Sequence, residues 1–332
     1  MSTVLFIIPC LTNRLPKAWS SNIASVALDG AYEKFLRLST SHKTHHHTIK
    51  DALDTYLHLP DNVAWARCGL DASGIRVRSN NWFKLTLLTK VGPTALRGHM
   101  VQKMAEDFAH HFSFAEDSIV TTGGDWFISL KQHNQVTSTP LWKITPHDRD
   151  SGSYGLSGED AAYWQEQFIN AQQWLKTYSY NRLRMRQKYD PIVDFWPWGN
   201  GGEHAFNRQE IEYSAIFSDS AIVRGVGNAA GLSYFPLRNS TADFSQMVHN
   251  HPNICVVDDR LVSKVSDNDI LGWLDARTQI ANMLLAPTLA AVDQGLIQNV
   301  IIDTVDGERF IYNKKFKFVL IRPKFTYRYL AE

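Results

Sequence analysis

The chain of 332 residues has little cysteine, no strong charge of either sign and no long apolar run. Its three cysteines, Cys10, Cys68 and Cys255, lie far apart, and no Cys-x-x-Cys pair offers a zinc or dithiol site. Each falls at or near an apolar segment, where a free thiol behaves as a small hydrophobe, and a reducing cytoplasm is the expected setting. A net charge of +1 supplies no global field for nucleic acid or an anionic membrane. The one basic cluster, Arg182, Arg184, Arg186 and Lys188, alternates with Leu183 and Met185 and reads as a helix end or a solvated strand, so no nucleic-acid partner is expected. No window of about 20 apolar residues exists, so neither a membrane-spanning helix nor a membrane partner is expected. The opening VLFIIPCL is too short, and lacks the basic lead-in, for a signal peptide. No repeat or low-complexity tract is found beyond His45-His46-His47. What remains is a globular composition, 44% hydrophobic and 20% charged, long enough for one large or two ordinary domains.

The rhythm of the chain divides it. Residues 4–9 read as a buried strand closed by Pro9, and residues 24–38 carry apolar positions at helical spacing. A polar loop, SHKTHHHT, and a short helix over 49–57 follow. From residue 60 the pattern changes. Residues 62–68, 75–78 and 82–88 look like strands, 96–112 is an amphipathic helix, and 118–120 with 126–130 make a hairpin around Gly123-Gly124. After a loop-rich stretch, a long helix is expected from 159 to about 180. Strands and helices then alternate to the end: strands at 214–217, 254–257, 300–304, 308–312 and 316–321, helices at 221–230 and 267–294. The expectation is an α/β fold, a mostly parallel sheet flanked by helices, built from residues 1–60 and 140–332, with 61–139 as a small inserted α+β subdomain.

The run Trp196-Pro197-Trp198-Gly199-Asn200-Gly201-Gly202 is the most distinctive segment. Trp196 and Trp198 share one face if the run is extended, and the glycines allow φ > 0 or close approach of a ligand to the backbone. Polar residues follow at Glu203 and His204. His204 is the acid/base candidate here, because imidazole titrates near neutrality. Asn181 and Arg182 end the long helix just before this run. Ser218-Asp219-Ser220 precedes a helix whose N-terminus could hold an anion, with Arg224 one turn inside; N-capping explains the same residues without a ligand.

Several of these blocks resemble one family. FIIPCL, GLDASGIRVRSNNWFKL, DFWPWGNGG and IFSDSAIVRGVGNAAGL are similar to the E-type regulatory proteins of the bacterial pathogenicity-factor (rpf) cluster, themselves similar to archaeal-type cofactor-independent phosphoglycerate mutases. The resemblance spans most of the chain. It implies an alkaline-phosphatase-like α/β fold, in which active mutases use two divalent metals and a serine nucleophile. This chain departs from that pattern. The first strand ends Ile8-Pro9-Cys10-Leu11 with no carboxylate. Asp258-Asp259 stands at the late strand end, but Arg260-Leu261-Val262 follows where the family has Gly-His. A two-metal site needs more oxygen and nitrogen ligands than these. Asp258 and Asp259 read as a metal-site remnant or as turn formers, and no metal or other cofactor is expected.

His42 and the triplet His45-His46-His47 read as a solvated loop, since neighbouring side chains do not converge. Ser41, Thr44 and Thr48 are the hydroxyls nearby that could have served as a nucleophile. His249-Asn250-His251 has the spacing of ligands on one strand face, broken by Pro252. The functional expectation is a binding or regulatory protein, a pseudoenzyme, for a small phosphorylated or carboxylated metabolite. One alternative is an active metal-dependent phosphatase or phosphomutase. The other is an interaction module docking through the Trp-Gly loop.

Overall fold

A computed structural model describes residues 2–11, 15, 19–20, 30–46, 49–60, 63–77, 81–90, 93–94, 96, 99–112, 119–122, 124–129, 135–138, 155–201, 208–237, 246, 248–251, 253–305 and 307–314. Its strands are β1 (Thr3–Ile7), β2 (Thr40–Lys43), β3 (Phe83–Leu88), β4 (Pro93–Thr94), β5 (Ile119–Thr122), β6 (Asp125–Ile128), β7 (Asp194–Trp198), β8 (Ala215–Phe217), β9 (Ser233–Phe235), β10 (Asn253–Val257), β11 (Asn299–Asp303) and β12 (Glu308–Asn313). Its α-helices are α1 (Gly30–Leu38), α2 (Ile49–Leu57), α3 (Trp65–Ala72), α4 (His99–His111), α5 (Ala161–Thr177), α6 (Ser179–Arg186), α7 (Ala221–Ala229), α8 (Arg260–Ser266), α9 (Ile270–Ile280) and α10 (Ala286–Asp293). The fold is mixed α/β, with a mostly parallel sheet flanked by helices. No helix among the described residues is long and apolar enough to cross a membrane.

Two compact units emerge: Met1–Leu59 with Phe206–Asp219 and Gly227–Glu332, and Pro60–Ala205 with Ser220–Val226. The first holds a seven-stranded sheet in the order β2-β12-β11-β1-β10-β8-β9. β1 lies between β10 and β11, parallel to both, with Ile7 in register with Val257 and Asp303. β8 and β9 continue the parallel run, while β12 and β2 close the other side antiparallel. VLFI, ICVV and VII are near-continuous apolar runs because a central parallel strand is covered on both faces. The core gathers Val4, Phe6, Phe217, Ile254, Val256 and Ile302 with Trp273, Leu284 and Leu289 from the helices. The segment predicted as one helix over 267–294 is α9 and α10 joined by a π-turn at Ala281–Leu285. Pro287 follows this turn, and a proline that cannot donate to the carbonyl four residues back favours such a bulge. The Ser41-His42-Lys43 start of the expected polar loop instead belongs to the exposed strand β2.

The second unit holds five antiparallel strands. β3 is its hub, paired with β4, β6 and β7, and β5 pairs β6. β7 carries the Trp-Pro-Trp run, with Trp196 opposite Thr86 and Trp198 opposite Lys84. Strands after residue 190 therefore do not all join the parallel sheet. Residues 155–201 group with this unit, which extends beyond the 61–139 drawn from the sequence. Residues 65–72, read as part of a strand and a turn, form α3, burying Trp65, Ala66, Gly69 and Leu70 at helical spacing. Residues 75–77 are not a strand. The long helix breaks at Tyr178, whose ψ of 128° is extended, and resumes as α6. Within this unit the first half of α7 crosses α3 closely: a Cβ on Gly225 would stand 1.9 Å from the Cys68 carbonyl oxygen, so only glycine fits.

Candidate functional site

The tryptophan–glycine run is built into the second unit's core. Trp196 is fully buried and Trp198 is 6% exposed. The Trp198 indole N–H donates to Thr86 Oγ1 at 2.7 Å, and its ring lies 6.4 Å from that of Trp65 and 5.8 Å from Lys84 Nζ. Gly199 has φ +85°, and its carbonyl accepts the Ala66 N–H at 2.9 Å. The left-handed turn and the tight approach to Trp65 and Ala66 both call for glycine. Asn200 Nδ2 donates to the Val136 carbonyl at 2.6 Å. Gly201 is half-buried, while Gly202, Glu203 and His204 lie outside the described residues, as do His47, Thr48, Pro252 and 316–321. The docking alternative required exposed indoles. With both enclosed, the loop offers no aromatic surface, and that reading is not carried further.

Asn181 is buried, and its amide is committed to the chain. Nδ2 donates to the carbonyls of Leu175 (2.8 Å) and Ile192 (2.7 Å), and Oδ1 accepts the Ile192 N–H (2.8 Å). This brace ties the α5–α6 break to the segment entering β7. Arg182 is exposed on α6, whereas Arg184 is buried, its Nε donating to the Asp190 carbonyl at 2.9 Å. Of the residues before α7, Ser218 is buried, with its N–H donating to the Phe235 carbonyl. Ser220 Oγ accepts the Val223 N–H at 3.5 Å, a loose N-cap. Asp219 is exposed, and its Oδ1 accepts the Leu237 N–H at 2.9 Å. Arg224 is half-buried.

Ligands of open parallel sheets bind beyond the carboxyl ends of the strands. In the first unit that edge carries two polar clusters. One is at the end of β10. Asp258 is buried, and its Oδ1 accepts Arg260 Nε at 2.8 Å and the Arg260 backbone N–H at 3.2 Å. Oδ2 is buried without a hydrogen-bond partner among the described residues. Burial raises the Asp258 carboxyl above the usual carboxylate range; Arg260 opposes the shift and the charge of Asp219 adds to it. Asp259 is the residue before α8 and makes no side-chain cap bond. Cys10, at the end of β1, is buried in a left-handed conformation (φ +59°), and its carbonyl accepts the Trp273 indole N–H at 3.0 Å.

The donor set does not fit the metal pair implied by the mutase resemblance. An arginine already occupies one oxygen of Asp258, β1 ends in a thiol, and no three His, Cys, Asp or Glu side chains among the described residues converge to hold an ion.

The second cluster lies two strands away, at the end of β11. Asp303 is fully buried, and its Oδ1 accepts the Val305 N–H at 2.9 Å. Its Oδ2 lies 2.5 Å from His46 Nδ1 and accepts the Tyr56 hydroxyl at 3.1 Å. His46 Nε2 lies 2.9 Å from Thr55 Oγ1, and Arg309 Nη1 donates to the Tyr56 oxygen at 3.3 Å. Burial, then the charge of Asp303, pushes the Tyr56 phenol up to about 12, so it stays a donor. His46 corrects the solvated-loop reading of the histidine triplet: His45 is exposed, but its neighbour turns inward onto a carboxylate. The available signal was the Asp that ends the apolar strand NVIID, the position where α/β folds place functional groups.

No family model matches the chain, and no curated protein matches it. Among the solved structures that resemble it, two are 12% identical to it. The PH0037 protein from Pyrococcus horikoshii aligns over 94% of this chain and 87% of its own, with a TM-score of 0.49. A cofactor-independent phosphoglycerate mutase from Thermoplasma acidophilum DSM 1728 aligns over 96% of this chain and 90% of its own, with a TM-score of 0.46.

Proposed function

We propose that the chain is a binding or regulatory protein for a small phosphorylated or carboxylated metabolite, held beyond the end of β10, rather than a metal-dependent phosphomutase. The observation that carries this reading is the buried Asp258 carboxyl. One of its oxygens orients Arg260, and the other has no hydrogen-bond partner among the described residues. An arginine fixed at Nε by Asp258, with Nη1 held only at 3.5 Å by Gln279 Oε1, can turn its Nη groups to a carboxylate or phosphate. Burial raises the proton affinity of the Asp258 carboxyl, which lessens its repulsion of an anion held beside it. The mutase-type fold and the regulatory role suggested by the sequence resemblance belong to this proposal and rest on those motifs.

Isothermal titration calorimetry with 3-phosphoglycerate and with citrate tests it. The intact chain should bind one of the two, and Arg260→Ala should weaken that binding by about 10- to 100-fold, the worth of a charge-assisted hydrogen bond. Equal affinity in the variant, or no binding of either anion by the intact chain, overturns the proposal.

A further inference from the structure

The geometry points to a second site, independent of the anion site: a threonine nucleophile, Thr55, activated by His46 and Asp303 for attack on esters of small carboxylic acids. Three contacts in the first unit define it. Asp303 Oδ2 stands 2.5 Å from His46 Nδ1, and His46 Nε2 stands 2.9 Å from Thr55 Oγ1. The carboxylate is fully buried, the imidazole is nearly so, and the threonine is exposed on α2. This gradient is what nucleophilic catalysis needs: an orienting charge inside, a base between, and a hydroxyl that substrate can reach.

The tautomer follows from the contacts. Asp303 also receives the Val305 N–H and the Tyr56 hydroxyl, so both of its oxygens act as acceptors here. An unprotonated Nδ1 would face that carboxylate lone pair to lone pair. Nδ1 therefore carries the proton, and Nε2 is left as the acceptor of the Thr55 hydroxyl. The base is also held in place: the Gly307 N–H donates to the His46 carbonyl at 2.9 Å, and the His46 N–H donates to Thr44 Oγ1 at 3.3 Å. Tyr56, next to Thr55 on α2, fastens the helix to the same Asp303 oxygen. Arg309 donates from Nη1 to that phenol, and its buried Nε has no hydrogen-bond partner among the described residues.

The reaction balances with water as the only co-reactant. The Thr55 Oγ–H proton passes to His46 Nε2 as Oγ bonds to the ester carbonyl carbon. Collapse of the tetrahedral adduct breaks the ester C–O bond, and His46 returns the proton to the departing alkoxide. Water, deprotonated by His46, then cleaves the acyl-threonine to the acid and free Thr55. In this scheme Thr55 and His46 are catalytic, and Asp303 is a positioning residue.

The test uses the full chain with p-nitrophenyl acetate and with a fluorophosphonate, which traps activated hydroxyls. The expected result is fluorophosphonate adduct on the peptide containing Thr55 and ester hydrolysis that falls at least about 100-fold in Thr55→Ala, the scale of general-base assistance. Because Thr55 is exposed, that variant should fold, and Thr55→Ser should restore both labelling and turnover. Adduct elsewhere but not on Thr55, or equal hydrolysis by the intact chain and Thr55→Ala, overturns the proposal.

Discussion

In the first unit the central strands carry valine, isoleucine and leucine, and charge is held back to their carboxyl ends, at Asp258 and Asp303. In the second the strands pack tryptophan and phenylalanine, and polar side chains are turned onto the chain itself. Trp126, Trp164, Phe108 and Phe195 fill its interior. Asn181 satisfies three backbone groups, and the Trp198 indole is answered by Thr86. Two similar signals in the sequence, a polar residue near an apolar strand, therefore have different outcomes. A parallel sheet covered on both faces leaves its strand ends as the place for polar chemistry. An antiparallel hub such as β3 surrounds its neighbours, and a buried polar group there is answered from within the chain, as Asn181 and Trp198 are; the buried Trp126 indole N–H is an exception, with no partner among the described residues.

The largest test of that contrast is Trp196→Ala. Trp196 is fully enclosed in β7, so removing the indole should cost about 3–5 kcal/mol in urea unfolding, the range for large aromatic truncations. A cost under about 1 kcal/mol would mean the Trp-Pro-Trp run is not core and would reopen it as a ligand surface.

How far the sequence was legible follows the same division. Long apolar runs such as VLFI and ICVV, and the amphipathic helices at 49–57 and 99–111, could be read directly because their periodicity matches their burial. The Gly231 stop after α7 was equally clear, with φ +74°. The partner of β7 was not legible: pairing with β3 joins residues more than 100 apart, and local pattern carries no such information. Residues 65–72 were misread because Trp65, Cys68 and Leu70 suit a strand as well as a helix over so short a stretch. At the sites, Asp258 was visible from its strand end. His46 was not, since nothing in HHH distinguishes the one histidine that turns toward Asp303 from the one that stays exposed.

A smaller effect is the pH dependence that Asp258 carries. Burial lifts the Asp258 carboxyl above its ordinary 3.8, so the native state binds this proton more tightly than the unfolded chain does. The stabilisation from the protonated form is fully present below 3.8. It is lost as pH rises through the interval up to the raised native value. Each tenfold gain in proton affinity is worth about 1.4 kcal/mol. The stability of the intact chain relative to Asp258→Asn should therefore decline with rising pH across the weakly acidic range in urea unfolding. Parallel curves would show that Arg260 cancels the burial of Asp258 altogether.

The smallest expected effect is at Arg182, and its value lies in the pairing with Arg184 two residues on. The two share α6 and a chemical type, yet Arg184 is buried with its guanidinium on the Asp190 carbonyl and over the Tyr189 ring, while Arg182 is exposed. Truncating Arg182 to alanine removes a solvated charge, so stability should stay within about 0.5 kcal/mol of the intact chain. Arg184→Ala should cost clearly more, because it leaves a buried carbonyl without a donor. The same pair tests where the anion binds. If 3-phosphoglycerate or citrate sits beyond β10 in the first unit, Arg182→Ala leaves its affinity unchanged. A drop of tenfold or more with stability unaltered would instead move the ligand to the second unit, beside α6 and the Asn181 brace.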